Sequence, residues 1–310
     1  PVGHPDPLDP TVPRPDPSSW GPRRARAFTS RSMEAFREGL RAPGMPDIRS
    51  SVLDDLSTFY GVDAEECLYR ATHSFQLSSA EWLAKPHRDT PAALRDFYLN
   101  HQAWCFGLLW YAYLQAEGYA APLAVMIAED MRERPPAHVL DFGSGVGGAA
   151  MMFRLLGYSV SLADVSKPLL RLAEHRFKRR GLDATFIDLN TAPLPEQTFD
   201  VVAAIQTIAS VPDIPETASN LRRSLKPGGV MYADFDVHRR TGSDSRLYDD
   251  DLPLRRAVHR AGFREERNVE RATIRYRKVT PGLVDRSVAT LRDAVVLGPP
   301  RKYWRRLRTS

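Results

Sequence analysis

Apolar and polar positions follow two different rhythms along this chain. From about residue 26 to 134 the apolar residues recur at helical spacing. Ser51 precedes the series Val52, Leu53, Leu56 and Phe59, with Asp54 and Asp55 in the first turn, as a helix start requires. Thr90-Pro91 opens a second helix, with threonine as cap and proline at the first helical position, and the pattern carries it to about Glu117, before Gly118. A third is expected over 122–131. After Pro135-Pro136 the rhythm changes. Short β-branched runs at 138–142, 159–164, 185–188, 201–205 and 230–235 alternate with amphipathic stretches at 147–156, 167–180 and 214–225. That alternation predicts an α/β architecture, a doubly wound and mostly parallel sheet covered on both faces. Ligands on such sheets bind beyond the carboxyl ends of the strands, so function is expected in the strand-to-helix loops.

Eight of the first 22 residues are proline, which predicts an extended or disordered lead-in that buries almost nothing. The chain therefore divides into a lead-in (1–25), a helical N-terminal cap or substrate domain (26–134), the sheet domain (135–280) and a C-terminal extension (281–310). Composition adds exclusions. With 43% hydrophobic and 26% charged residues the chain can build an ordinary core. The longest dense apolar run, 104–114, is too short to span a bilayer, which takes about 20 residues. The proline- and acid-rich start has no apolar stretch of the kind a signal peptide needs. Two cysteines, Cys67 and Cys105, make neither a disulfide framework nor a four-ligand zinc site, and a cytoplasmic location fits best. The net charge of +5 is concentrated in the C-terminal quarter and peaks at Arg301, Lys302, Arg305, Arg306 and Arg308. It reads as a solvated tail or as a contact for an anionic partner.

The first strand-to-helix loop reads His138-Val139-Leu140-Asp141-Phe142-Gly143-Ser144-Gly145-Val146-Gly147-Gly148. Gly143 and Gly145 allow close backbone approach to a ligand, and the following helix offers free N–H groups at its positive end. The spacing of Gly143, Gly145 and Gly148 also satisfies the weak dinucleotide pattern. Asp141 decides against it: a carboxylate there repels a pyrophosphate but suits an ammonium or sulfonium ligand. Asp164, 23 residues on, ends the second strand where a carboxylate can accept from a ribose diol, and Asp188 ends the third.

With Thr198-Phe199-Asp200-Val201-Val202 and Leu225-Lys226-Pro227-Gly228-Gly229 added in the right order, the segment from about 137 to 235 resembles a class I S-adenosylmethionine (SAM)-dependent methyltransferase. Ala261-Gly262-Phe263 and the alternating run 273–279 resemble that family's closing helix and antiparallel strand. The resemblance implies a Rossmann-like, seven-stranded, mostly parallel sheet and SAM as cofactor. It places Gly143 and Gly145 against the methionyl part, with Asp141 on the amino group and Asp164 on the ribose hydroxyls. Asp188 and the Leu189 backbone would read adenine, and Gln206 and Thr207 would lie beside the methionyl group. Ser144 and Val165 complete the implied cofactor set.

There are departures from the family's pattern. The acid and histidine that many small-molecule members carry after the fourth strand are replaced by Thr207-Ile208-Ala209-Ser210-Val211. No Asn/Asp-Pro-Pro-Tyr run is present and neither cysteine lies in the sheet domain, so nucleic-acid methylation is disfavoured.

Acceptor chemistry must then come from outside the shared segment. Phe97, His101, Trp104, Leu108 and Tyr111 share one face of the expected 91–117 helix, either as a core stripe or as an aromatic wall with a polar handle. His101 and neighbouring Tyr98 are catalytic candidates from that helix. Asp236 and His238 are candidates from the loop after the fifth strand, which reads otherwise as a solvated surface loop. The remaining histidines form no ligand cluster, so no metal is expected. The leading expectation is methyl transfer to a small molecule, in the style of bacterial natural-product metabolism, with the acceptor atom (O, N or C) open. One alternative is attack on the aminocarboxypropyl side of SAM, releasing methylthioadenosine, and another is a non-catalytic SAM-binding protein.

Overall fold

A computed structural model describes residues 3–85, 90–132, 137–237, 247, 248, 250–270 and 272–279. Eight helices come first: α1 (Pro22–Phe28), α2 (Arg31–Leu40), α3 (Ile48–Tyr60), α4 (Ala64–Thr72), α5 (Ser74–Ala84), α6 (Pro91–Asn100), α7 (Ala103–Ala116) and α8 (Leu123–Met131). The alternating part follows as β1 (His138–Phe142), α9 (Gly148–Leu155), β2 (Ser159–Asp164), α10 (Lys167–Arg179), β3 (Thr185–Asp188) and β4 (Phe199–Ala204). It closes with α11 (Ile214–Ser224), β5 (Leu225–Asp234), α12 (Leu252–Arg260), β6 (Phe263–Glu270) and β7 (Thr273–Lys278).

The seven strands form one sheet in the order β3-β2-β1-β4-β5-β7-β6. β1 to β5 pair parallel, and β7 is inserted antiparallel between β5 and the edge strand β6. Strand order reverses between β1 and β4, which makes their carboxyl ends the switch point where such sheets hold ligands. The period-two alternation of the strands sorts side chains to two faces. Val139, Val160, Leu162, Val201, Ala203, Val230 and Tyr232 join α9, α10 and the N-terminal helices in one core. Leu140, Ala163, Val202, Ala204, Met231 and Ala233 face α11 and α12 in the other. The helical region thus shares a continuous core with one face of the sheet.

Ion pairs reinforce that contact. Asp55 of α3, fully buried, receives Arg176 at 3.0 Å and Arg179 and Arg180 at 2.8 Å, all from α10 or the residue after it. On α8, Asp130 accepts from the Tyr232 hydroxyl at 2.7 Å and pairs with Arg267 and Arg275 of the closing hairpin.

Helix α3 starts at Ile48, capped by Asp47 and not by Ser51, and β5 starts at Leu225, ahead of the expected 230. Two further expectations change. The helix read over 91–117 is two helices. Its start is as expected, with Thr90 accepting from the Ala93 amide and Pro91 in the first turn. However, His101 turns to extended backbone at φ −71°, ψ 120° and ends α6. The Asn100 amide donates back to the Asp96 carbonyl and carboxylate, the local competition that disfavours helix continuation at asparagine. The second change is at the start of the chain, which packs along the helical region. The His4 amide donates to Thr72, the Trp110 indole donates to the Pro5 carbonyl at 2.9 Å, and Asp6 pairs with Arg49 at 2.9 Å. Proline removes donors, not acceptors, so these carbonyls and carboxylates remain available to the helices. Among the described residues no helix is long and apolar enough to cross a membrane. The basic extension 281–310 lies outside the described residues.

Candidate active site

The carboxyl edge of the sheet sets the candidate residues in a row. In strand order, Asp188 ends β3, Asp164 ends β2, the glycine loop follows β1, Gln206 follows β4, and Asp234 ends β5. Asp164 and Asp188 are direct register partners. Three strand spacings separate β3 from β4, about 14 Å at a usual inter-strand distance of about 4.8 Å.

The loop owes its shape to three glycines at positive φ: Gly143 (+68°), Gly145 (+53°) and Gly147 (+75°). Gly143 is close-packed as well, since a Cβ there would stand 2.3 Å from the Thr207 side chain. A Cβ on Gly145 would meet Leu108 of α7 at 3.3 Å, so the helical region reaches over this loop. Leu108 and Val165 are among the few large apolar side chains left exposed, at 36% and 39%.

Around this loop sit polar groups of a specific kind. The Gly145 amide donates to one oxygen of Asp164 at 2.9 Å and the Ser166 amide to the other at 2.8 Å. Each oxygen keeps a lone pair for a further donor. Burial raises the Asp164 carboxyl above its ordinary range against those backbone donors. Asp141 is buried, and its Oδ2 has no partner among the described residues. Burial, with the Asp164 charge adding to it, pushes Asp141 up to about 7. The buried Ser144 hydroxyl is likewise unpartnered among the described residues. Asp188 is held by the Asn190 amide and side chain at 2.9 and 2.6 Å, and the Leu189 amide donates to the Asp164 carbonyl at 3.1 Å.

Beside Gln206 opens a cavity of about 260 Å³. Its sheet side is Gln206, Asp234, Asp236 and Thr273, and its helical side includes Arg24, Tyr111 and Tyr119. Gln206 has φ +54°, a left-handed conformation that costs a non-glycine residue about 1 kcal/mol or more, and backbone strain of this kind collects at functional sites. Arg24 donates to the Gly118 carbonyl at 2.6 Å and lies over the Trp20 ring at 4.6 Å.

The three described catalytic candidates are not brought together. Asp236 lines the cavity. His101 and Tyr98 are not among its lining residues. They sit instead in an aromatic cluster, where His101 stacks on Phe97 at 4.4 Å and Tyr98 lies 4.8 Å from Trp104. His101 is buried and its Nδ1 is paired with Glu81, while Nε2 has no partner among the described residues. Burial pulls its pKa below the ordinary value despite the Glu81 carboxylate. The helix break at His101 divides the shared face expected for Phe97, His101, Trp104, Leu108 and Tyr111: the first three keep mutual ring contacts. Of those five, Tyr111 lines the cavity and Leu108 meets the loop. His238 lies outside the described residues. Among the described residues no cluster of His, Cys, Asp and Glu has the geometry of a metal site. Sequence reasoning missed Arg24 and Tyr119, which carry no local signal. It also missed Arg176, whose signal was a charge on the apolar stripe of an amphipathic helix.

Residues 140–233 match the family model described as a methyltransferase domain. Relatives match over comparable lengths. A demethylmenaquinone methyltransferase of Thermus thermophilus is 32% identical over 103 residues, covering 32% of this chain and 47% of that protein. Methyltransferase GfsG of Streptomyces halstedii is 38% identical over 105 residues, covering 32% of this chain and 38% of that protein. A sterol 24-C-methyltransferase of Gibberella zeae is 32% identical over 136 residues, covering 42% and 34%. The matches thus span less than half of each of these relatives. By the family match, the strand order and the loop, residues 140–233 are similar to a class I SAM-dependent methyltransferase domain. The residues present fit SAM: a buried carboxylate oxygen without a partner beside the glycine loop suits an ammonium group. The acids of β2 and β3 suit a ribose and an amine, and exposed Val165 and Leu108 offer an apolar surface to a flat ring.

Proposed function

We propose that this chain transfers a methyl group from SAM to a small-molecule acceptor, in bacterial natural-product metabolism, in the cavity between the helical region and the ends of β4 and β5. The observation that carries the reading is that cavity. It is lined by Gln206, two residues past the end of β4, and its volume of about 260 Å³ suits a small acceptor or one moiety of a larger one. Tyr111 of α7 and Tyr119, from the turn before α8, line its other side.

Bound SAM supplies a methyl group already activated on a sulfonium centre. The protein's work is then to position and exclude, which can supply much of the barrier reduction. We assign Asp141 to hold the cofactor's ammonium group, Asp164 its ribose and Asp188 with Leu189 its adenine. Gly143, Ser144, Gly145, Val165, Gln206 and Thr207 complete that binding surface. Asp236 is the cavity residue we assign to accept a proton where the acceptor must lose one. The two buried free thiols, Cys67 and Cys105, fit a reducing cytoplasm. A small molecule, not a nucleic acid, is the partner this cavity suits.

The test is mass spectrometry of the nucleosides formed when the full chain is incubated with SAM and a bacterial extract. S-adenosylhomocysteine, with an extract component heavier by one methylene, is the expected result. Methylthioadenosine above background would move the chemistry to the aminocarboxypropyl side. Formation of neither product would refute catalysis.

A further inference from the structure

Arg176 stands on the buried face of α10 among Leu172, Ala173 and Phe177, with no part of it exposed. A guanidinium in such a place needs both a counter-charge and acceptors. The counter-charge comes from Asp55, 121 residues earlier in α3, whose Oδ2 accepts from Arg176 Nε at 3.0 Å. Burial alone would raise the Asp55 carboxyl, but Arg176 and Arg180 outweigh it and hold it below the ordinary range. A second acceptor is the backbone carbonyl of Val146, to which Arg176 Nη1 donates. Val146 lies in the glycine loop between two residues at positive φ, Gly145 and Gly147. Its carbonyl direction is therefore set by a backbone segment with little steric restraint of its own. The same loop sends the Gly145 amide to Asp164, so its orientation and the acid at the end of β2 are linked.

We infer that Arg176 is a positioning residue for the cofactor site: charged against Asp55 of the N-terminal helical region, it fixes the Val146 carbonyl and with it the glycine loop. The inference rests on the assignment of that loop to SAM. Asp55 keeps Arg179 and Arg180 when Arg176 is removed, so Arg176→Met leaves no unpaired buried carboxylate. The helical region then contributes to cofactor affinity, beyond walling the acceptor cavity.

The test is calorimetric titration of the full chain and of Arg176→Met with S-adenosylhomocysteine and with adenosine, alongside thermal melts. The expected result is a loss of about tenfold in affinity for S-adenosylhomocysteine, whose amino acid part faces the loop, and of less than twofold for adenosine. Arg176→Lys, which retains the charge but has a single ammonium for two acceptors, should fall between wild type and Arg176→Met, and serves alone if the methionine variant does not fold. A purely structural role predicts a lower melting temperature with unchanged affinities in the folded protein. Equal affinity for S-adenosylhomocysteine in a folded variant, or equal losses for both ligands, overturns the inference. Absence of binding to the wild type overturns the cofactor assignment, and the inference falls with it.

Discussion

Replacing Asp141 with asparagine should move stability and cofactor affinity in opposite directions. The Asp141 carboxyl is 4% exposed, carries an unpartnered oxygen, and is pushed up to about 7 from 3.8 by burial and then by Asp164. A difference of about 3 units at 1.36 kcal/mol each makes its ionisation in the free folded protein cost about 4 kcal/mol. The native state binds a proton that the unfolded chain has lost, so this cost is zero below about pH 4, grows as pH rises, and levels off above about 7. Asparagine keeps the shape and removes the charge. In differential scanning fluorimetry, Asp141→Asn should melt with the wild type at pH 4 and roughly 5–10 °C above it at pH 8. Isothermal titration should show the reverse for SAM at pH 8, because the variant loses a charge-assisted hydrogen bond of about 1.5–3 kcal/mol, a factor of about 10–150. In the wild type the ammonium favours the ionised carboxylate. Binding at pH 6 should therefore release a proton, seen as a dependence on buffer ionisation enthalpy, and affinity should rise with pH up to about 7. A variant no more stable at pH 8 that binds SAM normally would refute the assignment of Asp141 and the electrostatics behind it.

Further outcomes follow from single contacts. Asp164→Ala removes the acceptor of the Gly145 and Ser166 amides and should weaken SAM binding by about 1.5–3 kcal/mol per lost ligand hydrogen bond; unchanged affinity in a folded variant would exclude Asp164 from the ribose. Gly143→Ala places a methyl group 2.3 Å from Thr207 at φ +68° and should lower the melting temperature, with partial recovery when Thr207→Gly is added. Full recovery in the double variant would mean that the left-handed backbone costs nothing. Asp55→Asn should cost about 3–5 kcal/mol at pH 7 by leaving the arginines without their carboxylate. Because that carboxyl is held low in the fold, its contribution is present above about pH 4 and is lost as pH falls through its lowered value, so chemical denaturation at pH 3 should show a smaller gap.

The sheet was legible because its signals are local. β1, β2 and β3 have the bounds expected from their β-branched runs, and each ends at an acid or glycine that punctuates it. β6 was not, since Phe263–Glu270 is mostly charged residues, the protection an edge strand adopts, and a hydrophobic pattern is blind to it. The run 91–117 kept its helical period through His101, and the break there depends on an asparagine side chain bonding backward and on Glu81 meeting the imidazole. The cofactor loop carries its chemistry in consecutive residues. The acceptor cavity does not: Arg24, Tyr111, Gln206, Asp236 and Thr273 meet there from five separate parts of the chain, and no spacing rule connects them. Arg176 belongs to the same class, a partner 121 residues away turning an apparent misfit in an apolar stripe into a support.

The core that runs unbroken from α2 and α3 through α9 to Val139 and Val201 has an evolutionary consequence. Proteins whose recognition modules sit on their catalytic halves like hats can trade one hat for another. Here an exchange of the helical region would uncover α9 and α10 where they share its core and orphan three arginines, so a chimera would fail before it met a new acceptor. New acceptor preferences in this lineage should therefore accumulate as single replacements on the cavity rim, at Tyr111, Tyr119 and Asp236, while the helices beneath them change as slowly as the strands.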